Sequence, residues 1–303
     1  MQLLENDLTS AQREIAAFYN ENGYYVYENA FSPEEIRELR EETVRICAGD
    51  VGAVSGTNVE GRRAGETDDE MLRRFLCIHF PHKISEVMYR ALAHPAIVET
   101  LTACISPNVK AMQSMLFIKA SGKPGQAWHQ DEDYIPTRDR SLCGAWIAMD
   151  DAVIENGCLW IIPGSHKPGI LWEQQWHGDK RFDCALESIN FPYADEDAIP
   201  VEVKAGTVVF FNGYTLHRSL PNVAESGYRR ALVNHYMSAE SYLPWFGQGG
   251  GGIAKLDHRD IVMVAGTDPY AYKGTIDFHK AFVRAAGDGG CYAGDTKLEY
   301  RES

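Results

Sequence analysis

Between Val109 and Met237 the sequence breaks into short apolar runs separated by turn residues, and this segmentation restricts the accessible folds more than any other feature. The runs are Val109 to Ala120, Cys143 to Met149, a turn–strand–turn over 156–166, Val201 to Lys204, Thr207 to Phe211 and Arg229 to Met237. Each has strand length, and glycine, proline and asparagine punctuate the gaps. Within Val109 to Ala120, alternation puts Gln113, Met115, Phe117 and Lys119 on one face. Short strands in such succession predict a sandwich or barrel of antiparallel sheets.

The N-terminal third reads differently. Thr9 to Asn20 has an amphipathic helical pattern, with Thr9 or Ser10 as cap and Gly23 as stop. Tyr24 to Glu28 suits a short strand. Ser32-Pro33-Glu34-Glu35 then supplies an N-cap, a proline at the first helical position and acidic residues in the first turn of a helix reaching Cys47. Helices are also predicted at 83–92 and 96–104, and Asn156-Gly157 predicts a turn of type I′. The polar, glycine-rich stretch 48–70 reads as a solvated, mobile connector, and the tail as irregular, with a glycine run at 247–252 and a helix near 276–286. There is no internal repeat and no long linker. The expected organisation is one domain over 1–303: helical support at 1–106, a β core at about 107–242 and an extension at 243–303.

Composition excludes several classes. The net charge of −14 opposes binding to phosphate backbones and anionic membrane surfaces, so nucleic acid and membrane are not expected partners. No apolar run reaches the roughly 18 residues of a spanning helix, and the first residues lack the pattern of a secretory signal. The seven cysteines are scattered, without a Cys-x-x-Cys pair, which predicts reduced thiols in the cytoplasm rather than disulfides or a zinc knuckle.

The chemistry-bearing stretch is Trp128-His129-Gln130-Asp131. On an extended strand, His129 and Asp131 would face the same side and offer one nitrogen and one oxygen to one point. Among the remaining histidines, His217 is the best third ligand, because it follows a strand and an Asn212-Gly213 turn that would place it at a barrel mouth. Two histidines and a carboxylate form a facial set that suits non-haem Fe(II). Zinc accepts the same donors, but no carboxylate base stands out beside them. Arg229 and Arg230 follow on the last core strand and must face opposite sides. An arginine buried at the mouth requires an anion, and guanidinium matches carboxylate by two parallel hydrogen bonds. Arg229 is assigned that role and Arg230 a surface salt bridge.

Taken together, Gln113–Lys119, Trp128–Asp131, Gly144–Ile147, Glu155–Trp160, Pro163–His166, His217–Ser219, Pro221-Asn222 and Arg229–Leu232 resemble the phytanoyl-CoA dioxygenase family of Fe(II)- and 2-oxoglutarate-dependent oxygenases. The resemblance runs from the first helix to about Tyr242. It implies a mostly β fold with flanking helices around a double-stranded β-helix, the cupin-like jelly roll. It implies iron ligation by His129, Asp131 and His217, and a 2-oxoglutarate site at Arg229 and Ser219, with Lys119, Met115 and Trp146 lining it. Gln113 and Tyr134 would face the substrate. O₂ is the co-substrate, and the partner is a small molecule. Arg74 and His79 are loose candidates for a lysine that some members place near the co-substrate.

The implied reaction is hydroxylation of a C–H bond with release of succinate and CO₂. Related halogenases lack the carboxylate found here at Asp131. Desaturation, cyclisation and epimerisation use the same cofactors. Two other classes compete: a cupin-like metal enzyme without an oxoacid, which has no use for Arg229 and Ser219, and a silent binding barrel, which has no use for a complete ligand set.

Overall fold

The computed structural model describes residues 8–56, 61–183, 186–241, 260–275, 277 and 279–285. Helix α1 (Ser10–Asn22) begins at Thr9, whose side chain and that of Gln12 cap each other's backbone amides, and ends at Gly23 with φ 79°. Strand β1 (Tyr24–Tyr27) leads to α2 (Pro33–Ala48), where Ser32 and Glu35 repeat the reciprocal cap. A shorter helix, α3 (Asp68–Leu72), capped by Thr67 and Glu70, closes the polar connector, and Arg74 ties back to Glu66 at 2.8 Å. Next come β2 (Phe75–His79), α4 (Glu86–Leu92), α5 (Pro95–Cys104) and β3 (Val109–Ala120). The central part continues with β4 (Gln126–His129), α6 (Asp131–Tyr134), β5 (Cys143–Ala148), β6 (Leu159–Ile161), β7 (Gln174–Trp176) and β8 (Leu186–Ser188). It closes with β9 (Ile199–Val201), β10 (Val208–Asn212), β11 (His217–Ser219), β12 (Tyr228–Ser238), β13 (Val262–Ala265) and β14 (Phe282–Ala285).

Two antiparallel sheets face each other. The larger runs β1-β10-β5-β12-β3-β2-β14, with β13 also on β3, and the smaller runs β4-β11-β6-β9. The period-2 pattern explains why the larger sheet is apolar on both sides. Val208, Phe210, Ile147, Leu232, Leu116 and Ile118 pack toward the helices, with Ile36, Leu39, Ile97 and Leu101. Their neighbours Val209, Phe211, Trp146, Ala148, Ala231 and Val233 pack toward Leu159 and Ile161 of the smaller sheet. This is the jelly-roll core expected from the sequence, with helices on its outer face. No helix among the described residues is long and apolar enough to cross a membrane.

Three local expectations are corrected. The helix expected near 276–286 is not found among the described residues of that stretch: Phe282–Ala285 is a strand that covers the outer edge of β2, where pairing with an open ladder outweighs local propensity. Asn156 does not share the positive φ of Gly157, as a type I′ turn requires. Its side chain instead accepts from Val153 N and donates to Asp151 O. The strand expected over Val201–Lys204 lies instead at Ile199–Val201, sharing only Val201, and it includes Pro200, which is tolerated because β9 is the edge of its sheet. The glycine run 247–252, Tyr242, Cys184 and Cys291 lie outside the described residues.

Phe210 is fully buried between the larger sheet and the helices. Phe210→Ala is expected to lower stability by about 3–5 kcal/mol through lost burial and the cavity left behind. A urea titration would show this as a lower midpoint at unchanged slope.

Candidate active site

Strands β4 and β11 are antiparallel neighbours, and their register sets His217 directly opposite His129. The two rings lie 4.0 Å apart between centroids. Asp131 is not on the strand, contrary to the sequence expectation. Gln130 is still extended (φ −125°, ψ 126°), but Asp131 opens the single turn α6. Glu132 N bonds Gly213 O at 3.0 Å and Ile135 N bonds Asp131 O at 2.9 Å, which holds that turn. One extended residue suffices to bring the carboxylate to the histidines' side before the chain curls away.

Asp131 Oδ1 is 3.6 Å from His129 Nε2 and 3.7 Å from His217 Nε2. All three side chains are buried, and their ligand atoms lie within 4.8 Å of one another. Each histidine bonds through Nδ1 to the carbonyl two residues upstream: His129 to Ala127 O at 2.8 Å, His217 to Thr215 O at 2.9 Å. A carbonyl only accepts, so Nδ1 carries a proton, and in the neutral ring Nε2 is left to present its lone pair to the shared point. Burial, with His217 close by, depresses the His129 pKa to about 3, so the ring is neutral. Burial raises the Asp131 carboxyl, but His217, His235 and His129 together outweigh this and hold it below the usual range. Two imidazole lone pairs and a carboxylate converging in a buried site fit a divalent transition metal.

His235 completes the surroundings. It is buried on β12, and its Nε2 is 3.0 Å from Asp131 Oδ2. The sequence reading passed over this residue, although alternation from Arg229 through Ala231 and Val233 brings His235 to the same face.

The same cavity has a cationic end. Lys119 and Arg229 are cross-strand partners on β3 and β12. Lys119 Nζ donates to Ser219 Oγ at 3.0 Å and Leu220 O at 2.8 Å. Arg229 Nε donates to Gly157 O at 3.1 Å, and its guanidinium carbon sits 5.4 Å from the centre of the Trp146 ring. Burial pushes both groups down, Arg229 to about 10, and Lys119 is lowered further by Arg229 beside it. Asp183 lines the same cavity and its charge favours both cations, which only partly offsets their burial. Arg230 faces the opposite side, where Asp150 binds it at 2.8 Å through both oxygens.

The cavity wall joins these two ends: His129, Asp131, His217 and His235 with Lys119, Ser219, Arg229, Met115 and Trp146. Gln113 and Tyr134 lie outside it. Gln113 pairs with His235 across β3 and β12. Tyr134 is 39% exposed, with its ring 6.3 Å from that of His129. The loose candidates are elsewhere: Arg74 pairs with Glu66, and His79 stacks on Phe282 at 4.4 Å.

Gly157 bounds the cationic end at φ 80°, and a β-carbon there would collide with the Leu220 carbonyl and crowd Lys119 Nζ. Gly157→Ala is therefore expected to destabilise the fold by about 1–3 kcal/mol from backbone strain alone. Thermal unfolding followed by circular dichroism measures this, with a lowered Tm as the expected outcome.

The chain is similar to known proteins in sequence and in fold. The chain is 29% identical over 292 residues to "Phytanoyl-CoA dioxygenase, peroxisomal" of Rattus norvegicus, covering 91% of this chain and 81% of the relative. Its fold is similar to that of the non-heme monooxygenase ThoJ in its apo form, with a TM-score of 0.63 at 20% identity, covering 91% of this chain and 89% of that one. It is also similar to the epimerase SnoN in complex with Fe³⁺, alpha ketoglutarate and nogalamycin RO, with a TM-score of 0.57 at 18% identity, covering 80% of this chain and 93% of that one. The family model for phytanoyl-CoA dioxygenase (PhyH) matches residues 19–231, and the chain belongs to that family.

Proposed function

We propose that this chain is a non-haem Fe(II)- and 2-oxoglutarate-dependent dioxygenase that hydroxylates an unactivated C–H bond of a small molecule. The observation that carries the reading is a single cavity with a metal-type donor set at one end and a buried Lys119–Arg229 pair at the other. A dicarboxylate with an oxo group beside one carboxylate suits both ends at once. His129, Asp131 and His217 would hold the iron. Arg229, with Lys119 and Ser219, would take the distal carboxylate. Met115 and Trp146 form the wall between, and Gln113 and Tyr134 are assigned to the substrate side.

Iron with 2-oxoglutarate and O₂ supplies the oxidising power: one oxygen atom goes to succinate, formed with CO₂, and the other to the substrate. The protein's own contribution is positioning. Burial keeps water from the two cations, so their attraction for a carboxylate is stronger than at the surface. Lys119 and Ser219 are tied together, and Arg229 is pinned by Gly157 O and Trp146, so little ordering remains when the anion binds. The choice of hydroxylation rests on Asp131, which fills the position that a halide would need. The described cysteines 47, 77, 104, 143 and 158 are free thiols, which supports a cytoplasmic setting.

The test is succinate release from purified protein given Fe(II), 2-oxoglutarate and a panel of small-molecule substrates, with mass spectrometry to find a product that gains one oxygen atom. Absence of turnover by metal-loaded protein across a broad panel would count against the reading. Arg229→Ala is expected to weaken 2-oxoglutarate by at least about 30-fold, as truncating one partner of a buried charge pair costs roughly 2 kcal/mol or more. Metal affinity should change far less. His217→Ala should lose the metal itself. Arg230→Ala should leave both affinities unchanged, and a larger effect there than at Arg229 would mean that the wrong arginine has been assigned.

A further inference from the structure

We propose that His235 is a positioning residue: its Nε2–H fixes one oxygen of Asp131 so that the other faces the two histidine nitrogens. The inference rests on the reading that His129, Asp131 and His217 hold a metal. The three side chains differ in how they are oriented. His129 and His217 are each locked by the carbonyl two residues upstream, so the backbone that carries them also aims them. Asp131 has no such local lock. Its two oxygens are chemically equivalent, and the terminal torsion of a carboxylate is soft. Left alone, it could turn either oxygen to the histidines or share both.

His235 removes that freedom from 104 residues away. Its Nε2 lies 3.0 Å from Asp131 Oδ2, while Oδ1 is the oxygen near both His129 and His217. His235 sits on β12 between β5 and β3, where it pairs with Gly144 and Gln113. The register against β3 shifts immediately after it, between His235 and Tyr236. Bulges of this kind re-aim side chains near active sites. His235 Nδ1 is buried without a hydrogen-bond partner, so the ring's hydrogen bond to Asp131 stands alone. A phenylalanine would fill the same space without an unsatisfied nitrogen. The imidazole is therefore justified by what it does for the carboxylate.

The experiment is a Co(II) titration of the full chain followed by visible absorption, which reads metal affinity and coordination geometry without turnover. His235→Ala is expected to weaken Co(II) by about 10- to 100-fold and to alter the spectrum. His235→Gln retains an N–H donor and should restore most of the affinity and the wild-type band shape. Should the alanine variant fail to fold, His235→Phe against His235→Gln makes the same comparison in larger side chains. Wild-type affinity and spectrum in the non-donor variant would overturn the proposal. So would equal loss in the glutamine and non-donor variants at unchanged Tm. Because Co(II) alone is the probe, wild-type protein that binds the metal but not 2-oxoglutarate would sink the functional reading and leave the His235 assignment to be judged by these spectra. Wild-type protein that binds no Co(II) would overturn both.

Discussion

The pairing of β11 with β4 is the contact on which the site depends. It sets His217 opposite His129 in adjacent antiparallel strands, and it belongs to the smaller sheet, whose inner face closes the core. Cross-strand partners stand close enough for two imidazoles to share one point. Since each ring is aimed by its own backbone, the geometry of the metal-type centre is largely the geometry of the ladder. A slip of one residue in that register would turn one of the two histidines to the opposite face of the sheet and break the pair.

Electrostatics follows burial rather than net charge. The chain is acidic overall, yet its cavity ends in two cations from neighbouring strands. Burial works against the charge of both, and their proximity adds repulsion. An anion entering there would relieve two unfavourable effects at once, which is why the proposed function places a carboxylate at this end. Arg230 shows the contrast: one residue along the strand it meets Asp150 and is satisfied by the fold itself. The alternation of β12 separates the arginine that faces the cavity from the one paired with Asp150.

The larger sheet makes such precision affordable. It is covered by helices on one face and by the smaller sheet on the other, so β12 and β3 are held along their length. Lys119, Arg229 and His235 all project from these two strands. Groups on central strands inherit the rigidity of the ladder, whereas Tyr134, at the end of the turn whose first residues Asp131 and Glu132 are buried, belongs to the more exposed rim.

Local physics was legible in the residues. The reciprocal caps at Thr9 and Ser32, the stop at Gly23, the apolar alternation of the core strands and the opposite facing of Arg229 and Arg230 all arise from interactions within a few positions. The donor types at 129, 131 and 217 and the cation at 229 were equally plain. Tertiary structure decided what depends on distant partners. It turned Asp131 into the first residue of a helical turn, because Gly213 offers a carbonyl to Glu132 N. It made a strand of Phe282–Ala285, because β2 had an open edge. It joined His235 to Asp131, a hydrogen bond that no local pattern encodes, since strand order sets which side chains meet. Sequence determined which groups face the core. Only the pairing of strands far apart in the chain determined which of them meet there, because backbone hydrogen bonding between strands, rather than local propensity, fixes their neighbours.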